Sequence, residues 1–330
     1  MTTVNNTINI LTHLAEYFNA NNEEWQDIKL RAQDANAWFT KEHIEFAINN
    51  IANEFLDNEK LKKWVTHYNL PTQPKTVGIV MAGNIPLVGF HDLLCGIISG
   101  HNLLLKLSSK DEVLLTHICN KLIEWEPNLA KQIVIADRLN GCDAYIATGS
   151  NNTARYFEQY FGKYPNIIRK NRTSVAILDG NETDEALAAL AEDVYMYYGL
   201  GCRNVTQIHV PPGYNFERIL NVFKRKDYYA DLNKYKNNYD YHLAIYLLNR
   251  VPYMSNESLL LVENNMPFSA VGVLHYKYYN DRVALENELK NSTDIQAIIG
   301  KGFFDFGSSQ RPSLSDYPDG VDTLDFLCSI

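Results

Sequence analysis

The sequence has no apolar run long enough to cross a bilayer: the longest, Leu93–Ile98 and Leu103–Leu105, are interrupted or bounded by glycine and polar residues. The start, MTTVNNTINILTHLAEYF, has neither a basic leader nor an apolar core of signal-peptide length, so a cytoplasmic protein without a transmembrane segment is expected. Positive charge is scarce, with 30 Lys and Arg against 39 Asp and Glu and a formal net charge of -9, which argues against nucleic-acid binding. Lys224, Arg225 and Lys226 form a basic run, better explained as a solvated helix face. The five cysteines are odd in number and show no CxxC spacing, which excludes a disulfide framework and a zinc knot. There is no HExxH and no histidine pair at ligand spacing, so no metal is expected. The GxGxxG fingerprint of ordinary dinucleotide-binding domains is absent, as are internal repeats and low-complexity tracts.

What is present is a chain of 330 residues, 46% hydrophobic and 21% charged, long enough for two packed domains rather than one core. Residues 1–70 read as helical, with Ile8, Leu11, Leu14, Ala15 and Phe18, and then Ile44, Ala47, Ile48 and Ile51, at three-four spacing. NLPTQPK reads as a connector into the strand TVGIVMAG, followed by a turn and a helix start at Pro86. HNLLLKLSS, QIVIAD, AYIATGS and SVAILDG read as further strands, with DEVLLTHICNKLIEW and NTARYFEQYF as helices among them. Short apolar strands alternating with helices predict an α/β fold with a doubly wound parallel sheet over 75–180. A helix opening at Thr183, with Asp184 and Glu185 in its first turn, leads to Gly199-Leu200-Gly201-Cys202 and the strand VTQIHVP, opening a second αβ region that ends near residue 310. The aromatic C-terminal stretch predicts a segment folded back onto the body.

Cys202 stands out because glycines precede it on a turn between a helix and a strand. A thiolate there can carry carbonyl or acyl chemistry through a thioester, although by spacing alone a buried structural cysteine is the commoner outcome. Cys95, Cys119 and Cys142 lie in apolar or helical stretches and read as structural, while Cys328 near the terminus is unassigned. Asn84, in GNIP, lies where open α/β sheets bind ligands. An amide there suits an oxyanion donor and a turn or helix cap about equally. Thr148-Gly149-Ser150, between a strand and a helix, forms a small-residue turn able to face phosphate or nicotinamide. Lys106 ends the strand LLLK as either a cofactor-binding cation or a solvated strand end.

The ordered segments MAGNIPLVGFHDLL, LLLKLSS, AYIATGS, GLGCRNVTQIHVP, MPFSAVGVLHY and FGSSQRPSLSDYPDGVDTLDF, spanning about 75–327, resemble the aldehyde dehydrogenase superfamily. The resemblance is closest to its LuxC-type acyl-CoA reductase branch. It implies Cys202 as nucleophile and an oxyanion hole made by Asn84 with the backbone N–H of Cys202. It also implies Lys106 on the cofactor's adenosine ribose, and Thr148, Gly149 and Ser150 beside the nicotinamide and pyrophosphate. Two departures from the superfamily refine the expectation. Its hydrolytic members carry a Glu-Leu-Gly-Gly-Lys run where this chain reads Ile168-Arg169-Lys170-Asn171-Arg172, so no glutamate activates water and a thioester can await hydride or thiol. Arg169, Lys170 and Arg172 are expected as a surface cluster, with cofactor or CoA phosphates as the alternative. Many NAD-dependent members carry a ribose-binding glutamate where Ser109 stands here, which makes room for the 2′-phosphate of NADPH, with NADH also allowed. The glutamate that contacts the nicotinamide ribose has no clean match, Glu263 being displaced.

The resulting expectation is an aldehyde-dehydrogenase-like α/β fold. Its parts are N-terminal helices with a cofactor domain over 1–180, a catalytic domain over 181–310, a C-terminal segment over 311–330, and a cleft between the two domains. The implied reaction is NADPH-dependent reduction of acyl-CoA to aldehyde through a thioester on Cys202. A CoA-acylating aldehyde dehydrogenase, an acyl-phosphate reductase and a non-catalytic scaffold are the alternatives. Expected partners are acyl-CoA or an acyl donor protein, an acyl-protein synthetase, and further copies of the chain, although the short length leaves an oligomerisation arm in doubt.

Overall fold

The computed structural model describes residues 4–20 and 22–330. They form two compact units, one made of the described part of Met1–Asn171 together with Pro312–Ile330, the other of Arg172–Arg311.

The first unit opens with four helices, α1 (Val4–Asn19), α2 (Glu23–Ala35), α3 (Lys41–Asn50) and α4 (Asn58–Val65). Their three-four apolar stripes are buried, with Leu14, Trp25, Ile44 and Leu61 fully enclosed. Asn22, Thr40 and Asp57 each accept a backbone N–H of the helix that follows, which fixes three of the four starts. Then come β1 (Thr76–Val80), α5 (Phe90–Ser99), β2 (Asn102–Lys106), α6 (Glu112–Trp125), β3 (Ile133–Ile135), β4 (Ala144–Thr148), α7 (Asn151–Phe161) and β5 (Asn166–Arg169). The five strands form one parallel sheet in the order β3-β2-β1-β4-β5. From β1 the chain winds outward to β2 and β3, then returns to place β4 and β5 on the other flank. The reversal lies between β1 and β4, and ligands of open α/β sheets bind outside the strand ends at such a point.

The second unit contains β6 (Thr173–Ile177), α8 (Asp184–Tyr195), β7 (Val205–Val210), α9 (Phe216–Phe223), α10 (Asn233–Leu248), β8 (Met254–Ser255), β9 (Leu260–Glu263), β10 (Val273–Tyr278), α11 (Arg282–Lys290) and β11 (Ile295–Ile299). Its sheet runs β11-β6-β7-β10-β9-β8, with only β8 antiparallel. Val175, Ile177, Leu285, Leu289, Ile295 and Ile298 make one of its cores. After it the chain returns to the first unit, where α12 (Thr323–Ser329) places Leu324 and Leu327 in the core.

Three expectations are corrected here. SVAILDG is not a fifth strand of the first sheet; that place belongs to Asn166–Arg169, and SVAILDG supplies β6 of the second sheet. The reason is geometric: Lys170, Asn171 and Arg172 alone separate β5 from β6, and parallel neighbours in one sheet need a crossover of about a dozen residues. The units accordingly meet in sequence at Asn171 and Arg172 rather than at residue 180, and the last 19 residues belong to the first unit's fold. The helix after β1 begins at Phe90, not at Pro86, because Leu87 takes a left-handed conformation (φ 57°) that holds residues 84–89 in a turn.

Of the basic run at 224–226, Lys224 and Arg225 are exposed on a short 3-10 stretch, while Lys226 pairs with Glu192 at 2.6 Å. No described helix is long and apolar enough to cross a membrane.

Candidate active site

In the first unit, six of the residues singled out by sequence gather at the carboxyl ends of β1, β2 and β4. Asn84 is exposed four residues beyond β1. Lys106 ends β2 with its side chain exposed, and Ser109 is exposed in the loop that follows. Thr148 ends β4, and Gly149 and Ser150 lead into α7, where the Ser150 hydroxyl accepts the Thr153 N–H at 3.2 Å. Ser150 is therefore an N-cap, with its oxygen committed to the helix and the first N–H groups of α7 directed past it.

The loops after β1 and β2 pack directly on one another. A Cβ on Gly83 would lie 2.6 Å from Ser108 Oγ, so only glycine allows GNIP to lie this close to the loop bearing Ser109.

Behind the Thr148 turn stands a residue misjudged from sequence. Arg169 is buried, not part of a surface cluster. Its guanidinium meets Asp92 at 2.7 Å, the Thr323 hydroxyl at 2.8 Å and the Thr148 hydroxyl at 3.4 Å. It thereby ties α5, β4 and the start of α12 together. Only Lys170 of the trio behaves as expected, exposed and paired with Glu158 at 2.8 Å. Arg172 is half-buried and donates to the Ile295 carbonyl.

In the second unit, Cys202 lies on the turn between α8 and β7 and is half-buried. The approach to it is strained: Tyr197, Tyr198 and Gly199 take successive left-handed conformations with φ of 54°, 59° and 76°. Glycine accepts this freely, but each tyrosine costs about 1–2 kcal/mol. Both tyrosine side chains are buried, so packing holds the strain in place.

Asn204, fully buried, holds the other side. Its Oδ1 accepts the Gly201 N–H at 2.8 Å, and its Nδ2 donates to the carbonyls of Met196 (2.7 Å), Asp193 (3.0 Å) and Val194 (3.4 Å). The Ser174 hydroxyl donates to the Cys202 carbonyl at 3.1 Å. Asp193 adds the segment after β11: its carboxylate accepts from Gly307 N–H, Ser309 N–H and the Ser309 hydroxyl. Burial pushes the Asp193 carboxyl up to about 6, and those three donors keep it from rising further. Arg203 lies over the Phe304 ring at 5.8 Å.

The remaining cysteines are poor nucleophiles. Burial pushes the thiols of Cys95 and Cys142 upward, that of Cys119 to about 12 and that of Cys328 to about 11, so all four stay protonated near neutrality. The loop 264–270 is also fixed: Gln207 donates to the carbonyls of Asn264 and Met266, Thr206 to that of Pro267, and His275 contacts Met266 O at 2.8 Å.

Sequence reading missed Asn204, Ser174 and Asp193, and placed Arg169 on the surface. Asn204 gave the best available signal, an asparagine two residues after the cysteine on a glycine turn; the others depend on pairings across long sequence separations.

Comparison with known proteins agrees with this architecture. Aldehyde dehydrogenase 21 from Physcomitrella patens, solved with succinate, is 12% identical with a TM-score of 0.64 over 91% of this chain and 74% of that one. An aldehyde dehydrogenase of Mycobacterium tuberculosis complexed with NAD+ is 14% identical with a TM-score of 0.63 over 90% and 73%. An NADP-dependent enzyme of E. coli is 12% identical with a TM-score of 0.65 over 90% and 73%. These likenesses establish the aldehyde-dehydrogenase fold. No curated protein matches the chain. The sequence model of the acyl-CoA reductase (LuxC) family matches residues 3–216, a span that holds Asn84, Lys106, the Thr148 turn and Cys202. The chain belongs to the LuxC acyl-CoA reductase family.

Proposed function

We propose that the protein is an oxidoreductase that reduces an acyl-CoA, or another activated fatty acyl donor, to the aldehyde, with Cys202 as nucleophile. The observation that carries this reading is the contrast among the cysteines. Cys202 is half-buried on a turn braced by Asn204 and Ser174, whereas Cys95, Cys119 and Cys142 are buried and Cys328, half-buried as well, lies on the terminal helix α12 with its thiol raised to about 11.

In this reading the Cys202 thiolate attacks the acyl carbonyl and the CoA thiolate leaves, producing a thioester on Cys202. The Asn84 amide and the Cys202 N–H donate to the oxyanion, a contribution of roughly 3–4 kcal/mol to the transition state for one such donor. A nicotinamide cofactor supplies the hydride when bound, and the Cys202 thiolate is the leaving group that frees the aldehyde.

The residues present suit such a cofactor. Lys106, Ser109, Thr148 and Gly149 line the strand ends at the sheet's reversal, and the N-terminus of α7 favours negative charge there. A neutral Ser109 near Lys106 favours NADPH, since no carboxylate opposes a 2′-phosphate. Position 168, isoleucine here, offers no base to hydrolyse the thioester. A cytoplasmic setting and acyl donors delivered by an acyl-protein synthetase accord with this chemistry.

Intact-mass spectrometry after incubation with acyl-CoAs of graded length tests the proposal. One acyl mass should be added per chain, lost in Cys202→Ala and discharged by NADPH. Labelling that persists in Cys202→Ala at another residue would reject the mechanism.

A further inference from the structure

Asp111 occupies the N-cap position of α6 yet makes no side-chain capping bond to it. Aspartate is among the preferred caps, so forgoing that bond leaves the helix's first N–H groups without the acceptor that belongs there. Its carboxylate instead turns to the loop after β1, where Oδ2 accepts the Leu87 N–H at 2.7 Å. The residue is 2% exposed and Oδ1 has no hydrogen-bond partner, so the side chain is held for this one bond at the expense of solvation.

Leu87 is the element that needs holding. It is a non-glycine residue at φ 57°, its carbonyl accepts the Phe90 N–H that opens α5, and its side chain is buried. Three residues earlier lies Asn84. The same contact region includes Gly83, whose missing Cβ would meet Ser108 Oγ at 2.6 Å and Asp111 Cβ at 3.2 Å, and Asp111 N–H donates to the Ser108 carbonyl at 2.9 Å.

We propose that Asp111 is a positioning residue that fixes the Asn84 loop by accepting the Leu87 N–H, and so couples it to the loop carrying Lys106 and Ser109. Burial also pushes the Asp111 carboxyl well above the usual carboxylate range, and a neutral acid can still accept this bond. The catalytic half of the proposal rests on the reading of Asn84 as an oxyanion donor.

The test combines hydrogen–deuterium exchange of the 83–90 peptide with the rate of Cys202 acylation by dodecanoyl-CoA, both on the full chain. Asp111→Leu should speed exchange at 83–90 by about tenfold or more while the 166–170 peptide keeps the parent rate. It should slow acylation about as much as Asn84→Ala, and the double variant should be no slower than Asn84→Ala alone. Asp111→Asn keeps a carbonyl acceptor and should restore both rates. Unchanged exchange in Asp111→Leu overturns the proposal whatever acylation does. Faster exchange with parent-rate acylation in Asn84→Ala leaves the loop assignment standing and removes Asn84 from the mechanism. If Asp111→Leu does not fold, Asp111→Asn decides: parent-like exchange supports the acceptor role, and a rise of about tenfold refutes it.

Discussion

Replacing Asn204 with aspartate should damage the Cys202 turn more than replacing it with alanine, although aspartate is the closer match in shape. Alanine orphans the buried Gly201 N–H and the Met196 carbonyl, at about 1–3 kcal/mol each, and partial relaxation of the strained tyrosines offsets some of this, leaving a cost of about 3 kcal/mol. Aspartate keeps the acceptor for Gly201 but sets its second oxygen against the carbonyls of Met196, Asp193 and Val194, where the amide had donated at 2.7 to 3.4 Å. A buried carboxylate facing three carbonyl oxygens either stays charged under repulsion or takes up a proton to regain a donor. The deficit relative to alanine should therefore be largest near pH 7.5 and shrink toward pH 5. Urea unfolding followed by far-UV circular dichroism measures it, and alkylation of Cys202 by iodoacetamide, read by peptide mass, reports whether the turn has opened. A higher midpoint for Asn204→Asp than for Asn204→Ala at pH 7.5 would refute the assignment of that amide as the clamp.

Three other buried groups carry further expectations. Arg169→Met strands the Asp92 carboxylate and should cost about 3–5 kcal/mol, while Arg169→Met with Asp92→Leu should recover most of it; equal losses in single and double variants by urea unfolding would contradict the buried-pair account. His209, buried with neither ring nitrogen hydrogen-bonded, has its pKa lowered to about 4, mainly by burial and further by Lys277. Its folded value lies below the unfolded one, so its contribution is complete above about pH 6.5 and falls by about 3 kcal/mol toward pH 4 as the unfolded chain takes up the proton. Asp193, raised to about 6, works in the opposite sense: the folded state holds the proton more tightly, so stability rises as pH falls from 6 toward 4. Relative to the parent, His209→Leu should gain stability on acidification between pH 6 and 4 and Asp193→Asn should lose it. Urea midpoints that shift in the same direction for both would show that one assignment is wrong.

Local chemistry was enough to read much of this chain. Apolar runs bounded by turn residues located β1, β2, β3, β4 and β7, and three-four spacing located α1 and α3, because strand and helix periodicity are properties of neighbouring residues. The ordered motifs carried the family, since the residues around a reacting group are held close in sequence by one turn each. Sequence could not decide which sheet β6 joins, how the Leu87 turn delays α5, or that Arg169 is buried. Each of these depends on a partner far along the chain: β11 for β6, Asp111 for Leu87, Asp92 and Thr323 for Arg169. A charged residue in an isolated segment reads as solvated, and only a partner brought in by folding makes its burial tolerable. The bracing of Cys202 is divided in the same way: its glycines are visible in the sequence, but the clamp formed by Asn204, Ser174 and Asp193 exists only once helix, strand and returning segment have met.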